Sequence, residues 1–379
     1  MIIPDNFFAQ ITDAFADREI ADIQIRTDGP VCLHTNRGVE KTDRFGIQDA
    51  EAVRDLAERF FTARTVEPWE EDAGAAVSRL WETIRTKRAL DLSCAQGVLG
   101  SPTRMRVQIH LSECGLGITC RCLPGKIPAL ESLGLEPSIA DQLREFVLRR
   151  SGLGLLTGPT GAGKSTTLAA LLEWVRCHAP KHIITLEDPI EFRYTATMPD
   201  PNQPDVLVPA PSLVTQQEIG RHTLSYQTGL KEVLRKAPNI ILLGEIRDRH
   251  TMETCIEAAQ TGHFVLSTLH TRGAVKSIDR ILEFFPKELQ GSVLQRLSET
   301  LSFVLSQGLL TGFSGRVLVT EYLQNTSDTV AAGIRSYDGA ATSLEDALRY
   351  KGNLRWNESL KQHYRDGLLP EDVFKANLD

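Results

Sequence analysis

The sequence lacks the cysteine patterns that build disulfide frameworks or zinc sites. It contains 7 cysteines, an odd number, and no C-x-x-C pair. This pattern argues against a secreted disulfide scaffold and fits a reducing compartment. Cys120 and Cys122 are two residues apart, the spacing of side chains on one face of a strand. We therefore expect the cysteines to be ordinary core residues.

Targeting and membrane-spanning segments are also missing. The first residues include Asp5 and have neither a basic leader nor a small-residue cleavage site, which predicts no signal peptide. The longest apolar stretch, residues 289–310, is interrupted by Arg296 and Glu299. We expect a core helix there and no membrane span. Together these features predict a cytoplasmic protein.

Positive charge is in short supply. The chain carries 42 Lys and Arg against 49 Asp and Glu, a net charge of -7. Binding to nucleic acid through phosphates depends on clustered cations, and no basic and aromatic stripe is evident. We therefore expect no direct contact with nucleic acid. The length, 379 residues, is sufficient for two domains with buried cores.

A turn-rich stretch divides the chain. The prolines and glycines that mark it are Pro124, Gly125, Pro128, Gly134 and Pro137. Such residues are typical of interdomain linkers. We predict an N-terminal domain over 1–123, a linker over 124–137 and a second domain over 138–379.

The two predicted domains differ in hydrophobic rhythm. Residues 21–26 and 105–111 alternate like strands, and 47–61 has helical spacing, which predicts a small α+β domain. In the second domain, apolar runs alternate with helical stretches, which predicts a parallel sheet covered on both faces. The predicted strands are 153–157, 182–186, 240–244 and 264–268.

A phosphate-binding motif follows the first of these strands. Residues 158–165 read G-P-T-G-A-G-K-S, a complete G-x-x-x-x-G-K-S between a predicted strand and a predicted helix over 166–177. Backbone N–H groups of such a loop cradle phosphates, Lys164 reaches the β- and γ-phosphates, and the Ser165 hydroxyl holds Mg²⁺. The expected ATP-binding residues are Gly158, Pro159, Thr160, Gly161, Ala162, Gly163, Lys164, Ser165 and Thr166.

Hydrolysis requires further groups beyond nucleotide binding. A carboxylate must order the attacking water, and cations must meet the charge that develops on the γ-phosphate. Glu187 and Glu245 each end a predicted strand, and His270 ends another. A single strand-end Glu is more often a cap or surface charge, but three such positions behind a P-loop favour an active site.

The order of these segments resembles a known family. The P-loop, L-E-D-P-I-E-F, G-E-I-R-D and T-G-H…T-L-H-T segments are similar to those of the PilT-like branch of the type II/IV secretion and pilus ATPases. The resemblance is strong over 139–322 and weaker before it. It implies a RecA-like P-loop NTPase domain joined to a PAS-like N-terminal domain, in an α/β fold. It also implies a homo-hexamer, peripheral at the inner membrane and bound to secretion or pilus machinery.

The resemblance implies a role for each candidate residue. Glu187 and Glu245 would handle Mg²⁺ and the attacking water, and His270 would sense the γ-phosphate. Arg235 and Arg247 would act as arginine fingers from a neighbouring subunit. The alternative for these two arginines is a local surface ion pair, with Glu232 for the first and Asp248 for the second. Further interface candidates are Arg280 and Arg316.

Some positions depart from the family pattern. Asn239 stands where the family usually has Asp, and Gly308 stands where its C-terminal helix usually carries a longer residue. Residues 198–212 contain five prolines, which predicts an extended loop without regular pairing. This insert and the Q-E-I that follows it resemble the type IVB secretion and conjugation branch, the DotB-like and TraJ-like ATPases.

The predicted function is Mg-dependent ATP hydrolysis by a ring motor of a type IVB secretion or conjugation system, driving substrate export or thin-pilus dynamics. The alternative within the class is a pilus retraction motor. Two alternatives lie outside it: an assembly protein that binds ATP with little turnover, and a DNA-translocating motor. The intact pair of glutamates argues against the first, and the acidic balance argues against the second.

Overall fold

The computed structural model describes residues 4–14, 20–35, 38–63, 73–95, 97–101, 103–339 and 342–378. The chain divides into two compact units, Met1–Lys126 and Ile127–Asp379. Leu130 and Leu135, within the predicted linker 124–137, are buried in a core of the second unit. The polypeptide from Ile127 onward therefore packs with that unit, and the predicted three-part division stays a prediction.

The first unit is built on one antiparallel sheet. Its strands run in the order β3-β2-β1-β6-β5-β4. Its elements are α1 (Phe7–Ala14), β1 (Ile20–Arg26), β2 (Gly29–Thr35), β3 (Gly38–Gln48), α2 (Ala50–Thr62), α3 (Ala73–Lys87), β4 (Ala89–Cys94), β5 (Met105–Ser112) and β6 (Gly115–Cys122). This is the α+β arrangement that the alternating segments predict.

The start of α2 differs from the predicted helix over 47–61. Residues 47 and 48 belong to β3. The Asp49 side chain accepts a hydrogen bond from the Ala52 N–H at 2.8 Å. Asp49 is therefore the N-cap, and the helix begins at the next residue, Ala50. An N-cap carboxylate satisfies an N–H group that has no partner in the first turn.

The second unit contains the remaining elements. They are α4 (Pro137–Leu148), β7 (Gly152–Thr157), α5 (Lys164–His178), β8 (His182–Glu187), β9 (Thr197–Pro199), β10 (Leu207–Pro209), β11 (Leu213–Glu218), α6 (Tyr226–Val233), β12 (Ile240–Leu243), α7 (Arg249–Gln260), β13 (Phe264–Leu269), α8 (Ala274–Glu283), α9 (Lys287–Thr300), β14 (Leu301–Gly312), β15 (Gly315–Gln324), α10 (Asp328–Arg335), α11 (Thr342–Ala347), α12 (Trp356–Arg365) and α13 (Glu371–Ala376).

The main sheet of this unit places the candidate residues at one edge. Its seven strands run in the order β11-β8-β12-β13-β7-β14-β15, parallel except for the antiparallel pair β14 and β15. Apolar cores lie on both faces. The four predicted strands are present as β7, β8, β12 and β13, which confirms the α/β prediction. In parallel sheets the carboxyl ends of the strands share one edge, where ligands bind.

The predicted core helix over 289–310 is wrong in its second half. Helix α9 ends at Thr300, and the chain continues directly into strand β14. The first eight residues of β14 are all buried. A strand buried on both faces reads as an unbroken apolar run, so its sequence does not differ from that of a buried helix.

The proline-rich segment 198–212 is paired, in contrast to the predicted extended loop. Strands β9 and β10 form an antiparallel hairpin in which Pro199 faces Leu207 and Pro209 faces Thr197. Proline is tolerated in such short strands because each has an edge that needs no N–H donor. The buried Arg176 guanidinium donates to the Thr197 carbonyl at 3.1 Å, which ties the base of the hairpin to α5.

Gly308 lies in strand β14 and not in a C-terminal helix, so that expectation is also wrong. A Cβ atom added at Gly308 would lie 2.6 Å from the Trp356 ring. The glycine therefore makes room for Trp356, which begins α12.

The cysteine prediction is confirmed in part. Cys94, Cys120 and Cys255 are buried, whereas Cys114 is exposed in the turn between β5 and β6. All seven thiols are free. Within the ranges that the structure describes, no helix is both long enough and apolar enough to span a bilayer.

Candidate functional site

The P-loop joins the buried strand β7 to helix α5. Gly158 has φ +140, a region that L side chains rarely adopt, and a Cβ atom there would collide with the Gln307 carbonyl oxygen of β14. Only glycine fits at this point. The loop then turns through Gly161 (φ +80) and Gly163 (φ +85), so the first turn of α5 follows directly.

The Lys164 side chain packs against the P-loop that precedes it. Its side chain is almost fully buried, and Nζ donates to the Gly158 carbonyl at 2.6 Å and to the Pro159 carbonyl at 3.1 Å. Burial lowers the pKa of Lys164, and attraction to Glu245 opposes that shift. The cation is thus held beside the loop, at the position where phosphates would enter.

The other predicted nucleotide-binding residues occupy consecutive positions around Lys164. Ser165 is exposed at the second position of α5, and Thr166 beside it is half-buried. The rest of the predicted set lies in the loop itself: Thr160, Gly161, Ala162 and Gly163. Free N–H groups at a helix N-terminus, together with the helix dipole, favour a bound anion.

Glu187 ends strand β8 in a constrained setting. Its Oε1 accepts from the Thr185 hydroxyl at 2.6 Å and from the Gln216 Nε2 at 3.1 Å. Burial raises the pKa of Glu187 to about 7, and these two hydrogen bonds act in the opposite direction. A carboxyl group that titrates near neutral pH is suited to accept a proton from water.

The raised pKa predicts a pH-dependent stability effect for Glu187→Gln. Folded wild-type protein retains a proton on Glu187 that the unfolded chain, with a pKa of 4.5, has released, so wild-type stability falls as pH rises from about 4.5 to about 7. The glutamine variant has no such loss. We expect its melting temperature, relative to wild type, to be several degrees higher at about pH 8 than at about pH 5. A pH-independent difference, measured without Mg²⁺ or nucleotide, would contradict the burial of this charge.

Glu245, Arg247 and His270 form a cluster at the ends of β12 and β13. Arg247 donates to Glu245 Oε2 at 2.8 Å, and His270 Nε2 lies 3.4 Å from the other oxygen of that carboxylate. Asp248 is not the partner of Arg247, because its side chain caps α7 by accepting from the Thr251 N–H. The predicted second carboxylate, histidine and arginine are therefore brought together in one chain.

The other candidate arginines lie apart from this cluster. Arg235 is exposed in a short 3₁₀ helix, Leu234–Lys236, and among the described residues it has no ion pair, with Glu232 or any other. Arg280 pairs with Glu283 on the surface of α8 at 2.7 Å. Arg316 is exposed on β15.

Tyr226 is a functional candidate that the sequence motifs do not reveal. It is the first residue of α6, and its hydroxyl oxygen would lie 2.7 Å from a Cβ added at Gly244. Burial raises the pKa of this hydroxyl, and neighbouring carboxylates raise it further; they are Asp188, Glu187 and Glu245. A phenol among these groups can position a carboxylate or a water. The sequence signal for Tyr226 is limited to its position after Ser225, a residue type that favours the N-cap of a helix.

The donor atoms of this region fit Mg²⁺. The Ser165 hydroxyl and the carboxylates of Glu187 and Glu245 supply oxygen only, which is the ligand type that Mg²⁺ prefers. Mg²⁺ usually takes one or two carboxylates and completes its shell with water and phosphate oxygens. No cluster of three or more His, Cys, Asp or Glu side chains suited to a metal occurs in the described part of the chain.

Comparison with known proteins identifies relatives of this chain. The family model described as "Type II/IV secretion system protein" matches residues 92–363. The protein YggR of Escherichia coli is 40% identical over 275 residues, covering 72% of this chain and 78% of YggR. A twitching motility protein of Neisseria gonorrhoeae is 39% identical over 279 residues, covering 73% of this chain and 70% of its own length.

Solved structures with the same fold cover nearly the whole chain. The pilus retraction motor PilT with bound ADP superposes with a TM-score of 0.78 at 28% identity, covering 98% of this chain and 96% of PilT. The ATPase DotB of Legionella pneumophila gives a TM-score of 0.76 at 24% identity, covering 98% and 94%; this likeness shows the fold alone.

These matches confirm the resemblance that the four ordered motifs indicate, and with it the RecA-like fold class. The chain is an ATP-binding ATPase of PilT-like type, and it belongs to the type II/IV secretion system protein family.

Proposed function

We propose that this chain hydrolyses Mg-ATP at the P-loop as a subunit of a hexameric ring that powers a type IVB secretion or conjugation system. The observation that supports hydrolysis most strongly is the Glu245, Arg247 and His270 cluster. Electrostatic attraction between Glu245 and the buried Lys164 ammonium connects this cluster to the P-loop. A carboxylate, a cation and an imidazole beside a P-loop supply the groups that water activation and charge neutralisation require.

Each residue of the site takes a separate part in this reaction. The backbone N–H groups of residues 158–166, apart from Pro159, and the Lys164 ammonium hold the phosphates. Bound Mg²⁺, held by Ser165 with Glu187 and Glu245, would neutralise phosphate charge. Glu245 and Glu187 together orient the attacking water. His270 lies within reach of Glu245 and reports whether the γ-phosphate is present.

A cation from a neighbouring subunit neutralises the remaining negative charge on the γ-phosphate. Arg235 is exposed and has no ion pair within the described part of its own chain, so its guanidinium is available to a partner. Arg247 is committed to Glu245 in cis. We therefore assign the arginine finger to Arg235 first, and to Arg247 only if Glu245 releases it when Mg²⁺ binds.

Pilus retraction is the second candidate function, because two relatives carry names of that kind, the twitching motility protein and the retraction motor PilT. Either function places the ring at the cytoplasmic side of the inner membrane, as a peripheral part of the machinery. Rescue of twitching in a strain without its retraction motor would favour retraction. Rescue of conjugative transfer would favour secretion.

Glu245→Gln tests the proposed chemistry. The substitution keeps the shape and the nucleotide contacts but removes the charge that orients water, so we expect ATP binding to persist and phosphate release to fall by about 10² or more. The measurements are fluorescent-nucleotide binding and steady-state phosphate release. Glu253→Gln is the matched control, because Glu253 is also paired with an arginine, Arg249, at 2.8 Å but lies on the surface of α7. Normal hydrolysis by Glu245→Gln would transfer the water-activating role to Glu187.

A further inference from the structure

A cavity adjoins the P-loop at Pro159. This C-terminal cleft, about 870 Å³ in volume, lies between the N-terminus of α8, the end of β14 and the helices α12 and α13. Pro159 is the only P-loop residue among those that line it in the described part of the chain. The loop N–H groups and Lys164 therefore serve the phosphates and not this cleft.

The cleft is positively charged although the chain is acidic. Five cations line it: Arg272, Lys276, Arg349, Arg355 and Lys361. Only two carboxylates do so, Glu321 and Glu358, which leaves an excess of three positive charges on a chain whose net charge is -7. A cleft lined mainly by one sign of charge concentrates the field and attracts ligands of the opposite sign.

The two carboxylates are already engaged. Glu321 accepts from the Ala274 N–H at 2.5 Å, and Glu358 accepts from the Arg355 N–H at 3.3 Å, both at helix N-termini. By contrast, in the described part of the chain no ion pair involves Arg272, Lys276 or Lys361. These three exposed cations are available to an external anion.

The lining favours an extended, partly apolar ligand over a small anion. The cations come from separate elements: the loop before α8, α8 itself, the segment after α11, and α12. Leu310, Leu348 and Trp356 lie among them. A phosphate site gathers donors around one point, whereas a peptide groove alternates charged and apolar contacts along its length.

We propose that the C-terminal cleft binds an acidic, partly apolar peptide segment of a partner protein. The bound segment lies against Pro159, whose carbonyl accepts from Lys164. It also lies against Gln307, whose Nε2 donates to Thr167 in the P-loop helix at 2.9 Å. Occupancy of the cleft is therefore coupled to nucleotide affinity. This coupling rests on the proposed ATPase function, whereas peptide binding itself does not.

The test measures peptide binding without ATP. The probe is a fluorescein-labelled peptide of alternating glutamate and leucine, followed by anisotropy, with a lysine and leucine peptide of the same length as the charge control. The double variant Lys276→Glu/Lys361→Glu should bind at least about tenfold more weakly than wild type, and salt should weaken wild-type binding steeply. The double variant Lys181→Glu/Lys287→Glu makes the same charge change at half-buried Lys181 and exposed Lys287, both outside the cleft, and should bind like wild type.

Three results would overturn the proposal. They are absence of binding, equal binding by the cleft variant and wild type, and displacement of the peptide by inorganic phosphate alone. Equal melting temperatures would show that the cleft variant is folded, and its basal phosphate release should be unchanged. Peptide binding by a protein with no turnover would leave the cleft in place and refute only the proposed hydrolysis.

Discussion

Lys164→Ala is expected to lower phosphate release by about 10² or more, because the phosphates lose their principal cation. The substituted side chain is buried and donates to two loop carbonyls, so its removal also leaves Gly158 and Pro159 without those bonds. Burial lowers the pKa of Lys164, which means that the charged form is held there at a cost. Removing the buried charge therefore stabilises the fold and offsets part of the stability lost with the two hydrogen bonds. We expect the variant to fold.

Lys181→Ala is the matched control for this experiment. Lys181 also donates from Nζ to a carbonyl, that of Leu148, at 3.0 Å, but it precedes β8 at the opposite end from the P-loop. Its loss should leave phosphate release close to wild type. If Lys164→Ala retained turnover within about tenfold of wild type while folded, the site of hydrolysis would lie elsewhere.

Arg235→Ala is expected to lower turnover by about 10³, the lower end of the range for arginine fingers. The side chain is exposed and has no ion pair within the described ranges, so its removal breaks no ion pair in its own chain. A large loss of activity in a stably folded variant would therefore indicate that Arg235 acts at the active site of a neighbouring subunit. The control is Arg249→Ala, which removes a surface arginine paired with Glu253 and should have little effect. Wild-type turnover by Arg235→Ala would exclude it as the finger.

The strands that carry the site were predictable because parallel strands are buried on both faces. Leu153, Ile184 and Val265 belong to short, mainly apolar runs, and helices separate the three runs along the chain. The P-loop adds a motif whose glycine spacing rarely arises by chance. The same burial on both faces makes the helix prediction wrong at Leu301, where a buried strand directly continues a helix and no turn residue separates them.

The details of the site depend on contacts that a linear pattern does not encode. The sequence offers Arg247 two acidic neighbours, and only the fold shows that Asp248 is committed to the α7 N-terminus while Glu245 forms the ion pair. Tyr226 and the C-terminal cleft were missed for a similar reason. The residues that surround Tyr226 and those that line the cleft come from segments far apart in the sequence, so no local spacing of residues predicts either feature.

The phosphate-release rate of mixed rings tests the central claim most directly. Lys164→Ala and Arg235→Ala should each be inactive alone, since each lacks one half of every interface. Rings that contain both variants have interfaces where an intact Lys164 faces an intact Arg235, so part of the activity should return. Mixing is verified by differential labelling and native mass measurement. Turnover that stays at the level of the single variants in verified mixed rings would contradict a shared active site.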